Sequence, residues 1–164
     1  MKTIIVTGTP GTGKTQLAKK LASKLNFDYI DVNKMIKKYN ISEGYDKKRK
    51  TKIVDVAKLN KTLIREISNF KKDKKTKGII IDSHLSHYLP EKYVDLCIVT
   101  KCDLKALQER LKKRKYPKEK IRENLDAEIF DICSVEAREK GHNILVIDCT
   151  RSINIKNIIK VIIK

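Results

Sequence analysis

The sequence is poor in paired cysteines, in long apolar runs and in acidic residues. Its four cysteines, Cys97, Cys102, Cys133 and Cys149, form no C-x-x-C pair and follow no regular spacing, which argues against a zinc site and against a disulfide framework. Cys97 and Cys149 lie in or beside apolar stretches, where a thiol ordinarily serves as a small core residue. No apolar run approaches the ~18 residues that a membrane span requires. Nor does a charged-then-apolar leader open the chain, so a soluble cytoplasmic protein without a membrane partner is expected. Internal repeats and low-complexity linkers are also missing. Acidic residues number 20 against 38 lysines and arginines, a net charge of +18. Such a field favours polyanionic partners, nucleic acid first. A lysine-rich proteome or adaptation to heat would leave the same bias, together with the absence of tryptophan, and charge alone does not separate the two readings.

The 164 residues, 40% of them hydrophobic, suit a single domain over 1–164 with a sizeable core. The rest is organised around the first fifteen positions. A short apolar run, Thr3-Ile4-Ile5-Val6, leads into Gly8-Thr9-Pro10-Gly11-Thr12-Gly13-Lys14-Thr15, which reads G-x-x-x-x-G-K-T, the phosphate-binding P-loop. Its glycines allow successive backbone N–H groups to turn inward around polyphosphate oxygens. Lys14 adds a point charge for the β- and γ-phosphates, Thr15 offers a hydroxyl to Mg²⁺, and the helix that begins here directs the positive end of its dipole at the same anion.

Leu17, Ala18, Leu21, Ala22 and Leu25 recur at helical spacing, predicting a helix over Lys14 to Leu25 that Asn26 ends. A short strand at Phe27 to Asp31 and a helix from Val32 to Tyr39 follow. Asn40 to Lys52 is polar, charged and without periodicity, and reads as a long irregular loop of the kind that is usually functional or mobile. Val56, Leu59, Leu63, Ile67 and Phe70 stripe a strongly amphipathic helix stopped by the lysine-rich turn at Lys71 to Lys77. Apolar strands are expected at Gly78 to Asp82, Asp95 to Thr100 and Ile144 to Asp148. Leu104, Leu107 and Leu111 mark a helix that runs into Lys112-Lys113-Arg114-Lys115-Tyr116-Pro117. One long helix with Ile121, Leu125, Ile129 and Ile132 on one face is expected next, closed by Gly141, and a last helix at Ile153 to Ile163. Strands flanked by helices and opened by a P-loop predict an α/β fold, a mostly parallel sheet covered on both faces, with ligands at the carboxyl ends of its strands.

Asp82, ending an apolar strand, stands where a P-loop protein places the carboxylate that holds Mg²⁺ directly or through water. His84, two residues on, is suited to orient an attacking water or acceptor group near the γ-phosphate. His87 has nothing beyond proximity to recommend it. Arg110 and Arg114 are i and i+4 on one helix face and are expected to reach the same bound nucleotide, supplying cationic charge from a short lid.

With these pieces in place the chain resembles the adenylate kinase isoenzyme 6 family of nucleoside monophosphate kinase-like P-loop proteins, over roughly Ile4 to Val146. The resemblance rests on the P-loop, on Gly44-Tyr45-Asp46, on Asp82-Ser83-His84, and on Arg114-Lys115-Tyr116 with Lys120-Ile121-Arg122-Glu123-Asn124 and Ala127-Glu128-Ile129. It implies a five-stranded parallel sheet, an acceptor-binding segment at about 31–54 and a lid at about 113–119. It also implies ATP contacts from Gly11, Gly13, Lys14, Thr15, Gln16 and Arg114, with Lys14, Asp82, His84 and Arg114 catalytic and Thr15 and Asp82 toward Mg²⁺. The activity it implies is transfer from ATP to AMP with some ATP hydrolysis. The partners it implies are a small-subunit ribosomal protein and pre-rRNA, in late subunit maturation, for a chain expected to be monomeric. Lys47-Lys48-Arg49-Lys50 departs from the acidic and aromatic residues that family members often carry there, and Lys115 stands where many relatives have glycine. A basic loop at 47–50 suits an anionic nucleotide and ribosomal RNA alike. Two further readings stay open: a nucleotide-switched assembly ATPase with little kinase activity, and a P-loop kinase for another small acceptor.

Overall fold

The apolar run before the P-loop folds as strand β1 (Lys2–Gly8), and its side chains divide between two cores. Ile4 and Val6 face one side of a sheet and Ile5 the other, all three fully buried. A strand alternates its side chains, so one covered on both faces is apolar throughout. The computed structural model describes residues 1–48 and 50–163. Helix α1 (Lys14–Leu25), strand β2 (Asp28–Asp31) and helix α2 (Val32–Lys38) follow β1. Then come β3 (Ser42–Asp46), β4 (Thr51–Val54), α3 (Val56–Lys72), β5 (Gly78–Asp82) and β6 (Leu96–Lys101). The chain continues through α4 (Leu104–Lys113), α5 (Lys118–Ile129), α6 (Ile132–Glu139), β7 (Ile144–Asp148) and α7 (Ile155–Ile163).

Five strands form one parallel sheet in the order β2-β5-β1-β6-β7. Helices α1 and α7 cover one face through Leu17, Leu21, Ile158 and Ile162. Helices α2, α3 and α6 cover the other through Met35, Leu59, Leu63, Ile67 and Ala137. Helices α4 and α5 pack on each other around Leu107, Leu111 and Ile121. Aspartates start three of these helices: Asp31, Asp55 and Asp103 each accept a hydrogen bond from the backbone N–H three residues on, satisfying a donor that the first helical turn leaves unpaired. The register sets Val6 beside Asp82 and Gly8 beside Thr100, so the P-loop emerges between the ends of β5 and β6.

Two expectations fail. The segment taken as an irregular loop contains an antiparallel hairpin, β3 with β4, turning at Lys47 to Lys50; Arg49 lies outside the described residues. Tyr45, Thr51, Ile53 and Val54 favour strand, but the hairpin stands away from the core, leaving Tyr45 and Ile53 56% and 50% exposed. With neither face buried, no alternation was imprinted on the sequence. The long helix expected up to Gly141 is instead two, α5 and α6. Asp131 breaks it with φ 55° and ψ 34°, a left-handed conformation that a short polar side chain tolerates. Lys101 at the end of β6 holds the break, its Nζ 2.8 Å from Asp131 Oδ1 and 3.4 Å from Glu128 O. Ile129 and Ile132 are consequently exposed rather than part of one buried stripe.

Candidate active site

The P-loop is fixed by its own hydroxyls. Thr12 Oγ1 donates to Thr9 O at 2.8 Å and lies 2.7 Å from Thr100 Oγ1, which in turn reaches Thr7 O at 3.1 Å. Gly8, at φ 139°, passes so close to β6 that a Cβ there would lie 2.4 Å from Thr100 Oγ1 and 2.5 Å from its carbonyl oxygen. Gly13, at φ 107°, is the left-handed residue from which α1 starts, and a Cβ on it would press on Cys149 at 3.3 Å. Cys97 and Cys149 are core residues as expected.

Arg110 does not act as a second free lid arginine. Its guanidinium donates to Cys149 O at 2.9 Å and Thr150 O at 3.1 Å, and more weakly to Gly11 O and Thr12 O at 3.4 Å each. Four carbonyls occupy its two terminal amino groups, so Arg110 clamps the P-loop to the end of β7. Arg114, the residue capping α4, lines the cleft itself. Next to it Lys115 has φ 56°, a conformation glycine adopts without penalty.

The central cleft has a volume of 540 Å³ and brings Lys14, Thr15, Asp82, His84 and Arg114 to one space. Lys14 Nζ donates to Thr9 O at 3.1 Å. Burial pushes its ammonium down to about 8, against the opposing pull of Asp82, and Arg114 adds to the depression. Asp82 is 6% exposed, and its Oδ2 accepts a 2.8 Å hydrogen bond from the phenol of Tyr29. That phenol is pushed up by partial burial first and by its carboxylate partner second. His84 has solvent-reached surface in the cleft yet is walled by protein on its other sides. Enclosure, then the charges of Lys14, His87 and Lys120, lower it to about 4, so the imidazole is neutral at pH 7.

His87 is a residue whose place sequence reasoning missed. Only 1% exposed, it sets Nδ1 2.7 Å from Thr7 Oγ1 and Nε2 2.8 Å from Glu136 Oε2, the oxygen that also accepts from Tyr88 Oη at 3.0 Å. His142 Nε2 donates to its carbonyl at 2.9 Å. Burial outweighs Glu136 and lowers the His87 pKa. The ring is therefore neutral, donating from Nε2 to the carboxylate and accepting at Nδ1 from Thr7. Its one advance signal is its setting between Leu85 and Leu89, which marks the inner side of the turn.

Two further hollows adjoin the central cleft. One, of 650 Å³, lies against Gly11, Gly13, Gln16 and Arg110 and shares Lys14, Thr15 and Arg114 with the centre. The other, of 570 Å³, lies between α2 and the hairpin, with Lys37, Tyr45, Lys50 and Lys52 on its walls, and shares Asn33, Thr51, His84 and Leu85. Lys48 on the hairpin turn lies 3.4 Å from Glu119 at the start of α5, both exposed, so the two sides meet across the mouth. Among the described residues no group of three or more His, Cys, Asp or Glu could ligate a metal. One hydroxyl at Thr15 and one carboxylate at Asp82 fit a hard cation that takes its remaining ligands from phosphates and water, the habit of Mg²⁺. No described helix is long and apolar enough to cross a membrane.

Comparison with known proteins places the site in context. The profile of the AAA domain family matches residues 4–131. An adenylate kinase isoenzyme 6 homolog of Dictyostelium discoideum is 35% identical over 145 residues, covering 88% of this chain and 79% of its own. A Methanocaldococcus jannaschii protein, provisionally described as an adenylate kinase, is 38% identical over 161 residues, covering 98% of this chain and 84% of its own. Among solved structures, the deoxyadenosine kinase from M. mycoides with bound dATP superposes with a TM-score of 0.59 at 17% identity, each chain covered in full, a likeness of fold alone.

Proposed function

We propose, from the premise that this chain belongs to the AAA domain family and within it to the adenylate kinase isoenzyme 6 family, that it transfers the γ-phosphoryl group of ATP to AMP, giving two ADP. Two hollows of nucleotide size, opening from opposite sides of the central cleft in which Lys14, Asp82 and His84 stand, carry this reading. ATP lies along Gly11, Gly13, Lys14, Thr15, Gln16 and Arg114. AMP lies against the acceptor segment, about 31–54, and the turn at about 113–119 closes over both. A phosphate oxygen of AMP attacks the γ-phosphorus while the bond from that phosphorus to the β-bridging oxygen breaks, and the electron pair leaves with ADP. A dianionic acceptor phosphate has no proton to lose, so the protein's task is positioning and charge. Lys14 and Arg114 neutralise the transferring oxygens. Thr15 and Asp82, the latter directly or through water, would hold Mg²⁺, which would supply further positive charge to the phosphates. Neutral His84 orients the acceptor or, when none is bound, a water, and a slow basal ATPase is then expected.

The alternative of a nucleotide-switched assembly factor is favoured by the +18 charge and by Lys47, Lys48, Lys50 and Lys52 on an exposed hairpin, suited to pre-rRNA or to the surroundings of a small-subunit ribosomal protein in the cytoplasm. A P-loop kinase for another small acceptor is the third reading, since the lysines on the acceptor wall suit any anionic acceptor. Product analysis of the purified protein with Mg·ATP alone, with each nucleoside monophosphate and with other small acceptors decides between them. The kinase reading expects ADP formation that rises steeply with AMP and vanishes in Lys14→Ala and His84→Ala. ATP consumption indifferent to every acceptor would refute it and leave the switch.

A further inference from the structure

The Tyr29 phenol is a polar group of the site that the phosphoryl-transfer scheme leaves without a task. Strand β2 pairs with β5 so that Tyr29 lies opposite Ile80 and Asp31 opposite Asp82. Residues 80 and 82 share one face of β5, so Tyr29 is the diagonal neighbour of Asp82 on the face that α1 covers, within reach of a long aromatic side chain. Its ring packs against the core formed by Ile4, Val6, Leu17 and Ile80, and Lys19 Nζ stands 5.8 Å above it. The ring is thus held by packing, and only the hydroxyl extends to Asp82 Oδ2, at 2.8 Å. A carboxylate with so little exposed surface would otherwise be free to rotate about its last bond, or to turn toward the Lys14 ammonium and cancel the charge that the phosphates need.

We propose that Tyr29 is the positioning residue for Asp82: its phenol commits Oδ2 and leaves Oδ1 to the cation or its water. The inference deepens the kinase reading and rests on it for the identity of the cation. Partners of this kind, one shell out from a metal, typically change metal affinity by about 10–100-fold. Because packing holds the ring, Tyr29→Phe removes the donor and leaves the wall of the core in place.

The test is nucleotide binding, which needs no turnover. Calorimetric titration with a non-hydrolysable ATP analogue, in Mg²⁺ and in EDTA, yields the gain in affinity that the cation confers. Tyr29→Phe is expected to bind the analogue in EDTA as the wild type does and to lose about tenfold of the Mg²⁺-dependent gain, with thermal unfolding near that of the wild type. Asp82→Asn is expected to lose the gain altogether, and Tyr29→Phe on top of it to lose nothing more. An undiminished gain in Tyr29→Phe, or equal losses with and without the cation, overturns the proposal, the second outcome marking Tyr29 as merely structural. A wild-type protein that binds the analogue with no gain from Mg²⁺ overturns the kinase reading itself and this inference with it.

Discussion

The depressed pKa of Lys14 implies that the P-loop lysine opposes folding in the empty site and is relieved by its ligand. Burial holds the ammonium at about 8 against an ordinary 10.5. At pH 7 it is charged in most molecules; at pH 9, about one in ten retains the proton, so affinity for Mg·ATP should fall about tenfold between the two. Bound phosphates favour the ammonium, so binding takes up a proton in that window. Calorimetry in two buffers of different ionisation enthalpy should find little uptake at pH 6.5, about half a proton at pH 8 and nearly a whole one at pH 9. Stability runs the other way. Between about 8 and 10.5 the unfolded chain holds a proton that the folded one lacks, so the nucleotide-free protein gains from this group as pH rises through that range. Lys14→Gln, which removes the buried charge, should therefore be more stable than the wild type at pH 7 by up to about 3 kcal/mol, the gap closing by about pH 10.5. Equal stability of the two at pH 7, with no proton uptake on binding at pH 8 to 9, would refute the reasoning.

Gly8→Ala should destabilise by about 3 kcal/mol or more, since its Cβ meets backbone as well as side chain of Thr100 at a positive φ; urea unfolding measures it. His87→Ala should cost about 2–4 kcal/mol by the same assay, because it opens a cavity and takes from buried Thr7 its short hydrogen-bond partner, Glu136 keeping Tyr88. Arg110→Met and Arg114→Met should separate. Loss of Arg110 should lower the melting temperature and the affinity for ATP and ADP alike. Loss of Arg114 should leave the melting temperature near its original value and lower kcat on the order of 100-fold, read by steady-state kinetics.

Much of the fold can be read from the residues that a sheet buries on both sides. Gly78-Ile79-Ile80-Ile81-Asp82, wholly buried, begins and ends where its apolar run does, as does the half-buried edge strand Ile144 to Asp148, and α1 spans the interval marked by its buried stripe and by Asn26, left-handed at φ 53°. Burial writes a period into the chain, and the hairpin at 42–54 lies outside the core and therefore carries none. The break at Asp131 depends on Lys101, thirty positions away in sequence and adjacent only in space. The same holds for the site. The P-loop and the Asp82 to His84 pair are local patterns and legible as such. That Arg110 is occupied by carbonyls of residues 149 and 150, or that His87 joins Thr7 to Glu136, depends on contacts that no spacing encodes.

The division of β1 between two cores has a consequence for how the molecule opens. Ile5 belongs to one hydrophobic layer, Ile4 and Val6 to the other, and the strand lies between β5 and β6. Its amides cannot meet solvent unless both layers separate, so deuterium should enter them only at the rate of global unfolding, while the hairpin and the turn after α4 exchange through local openings. The P-loop is thereby rooted in the segment last to let go, and the parts that close around a nucleotide belong to the segments first to do so.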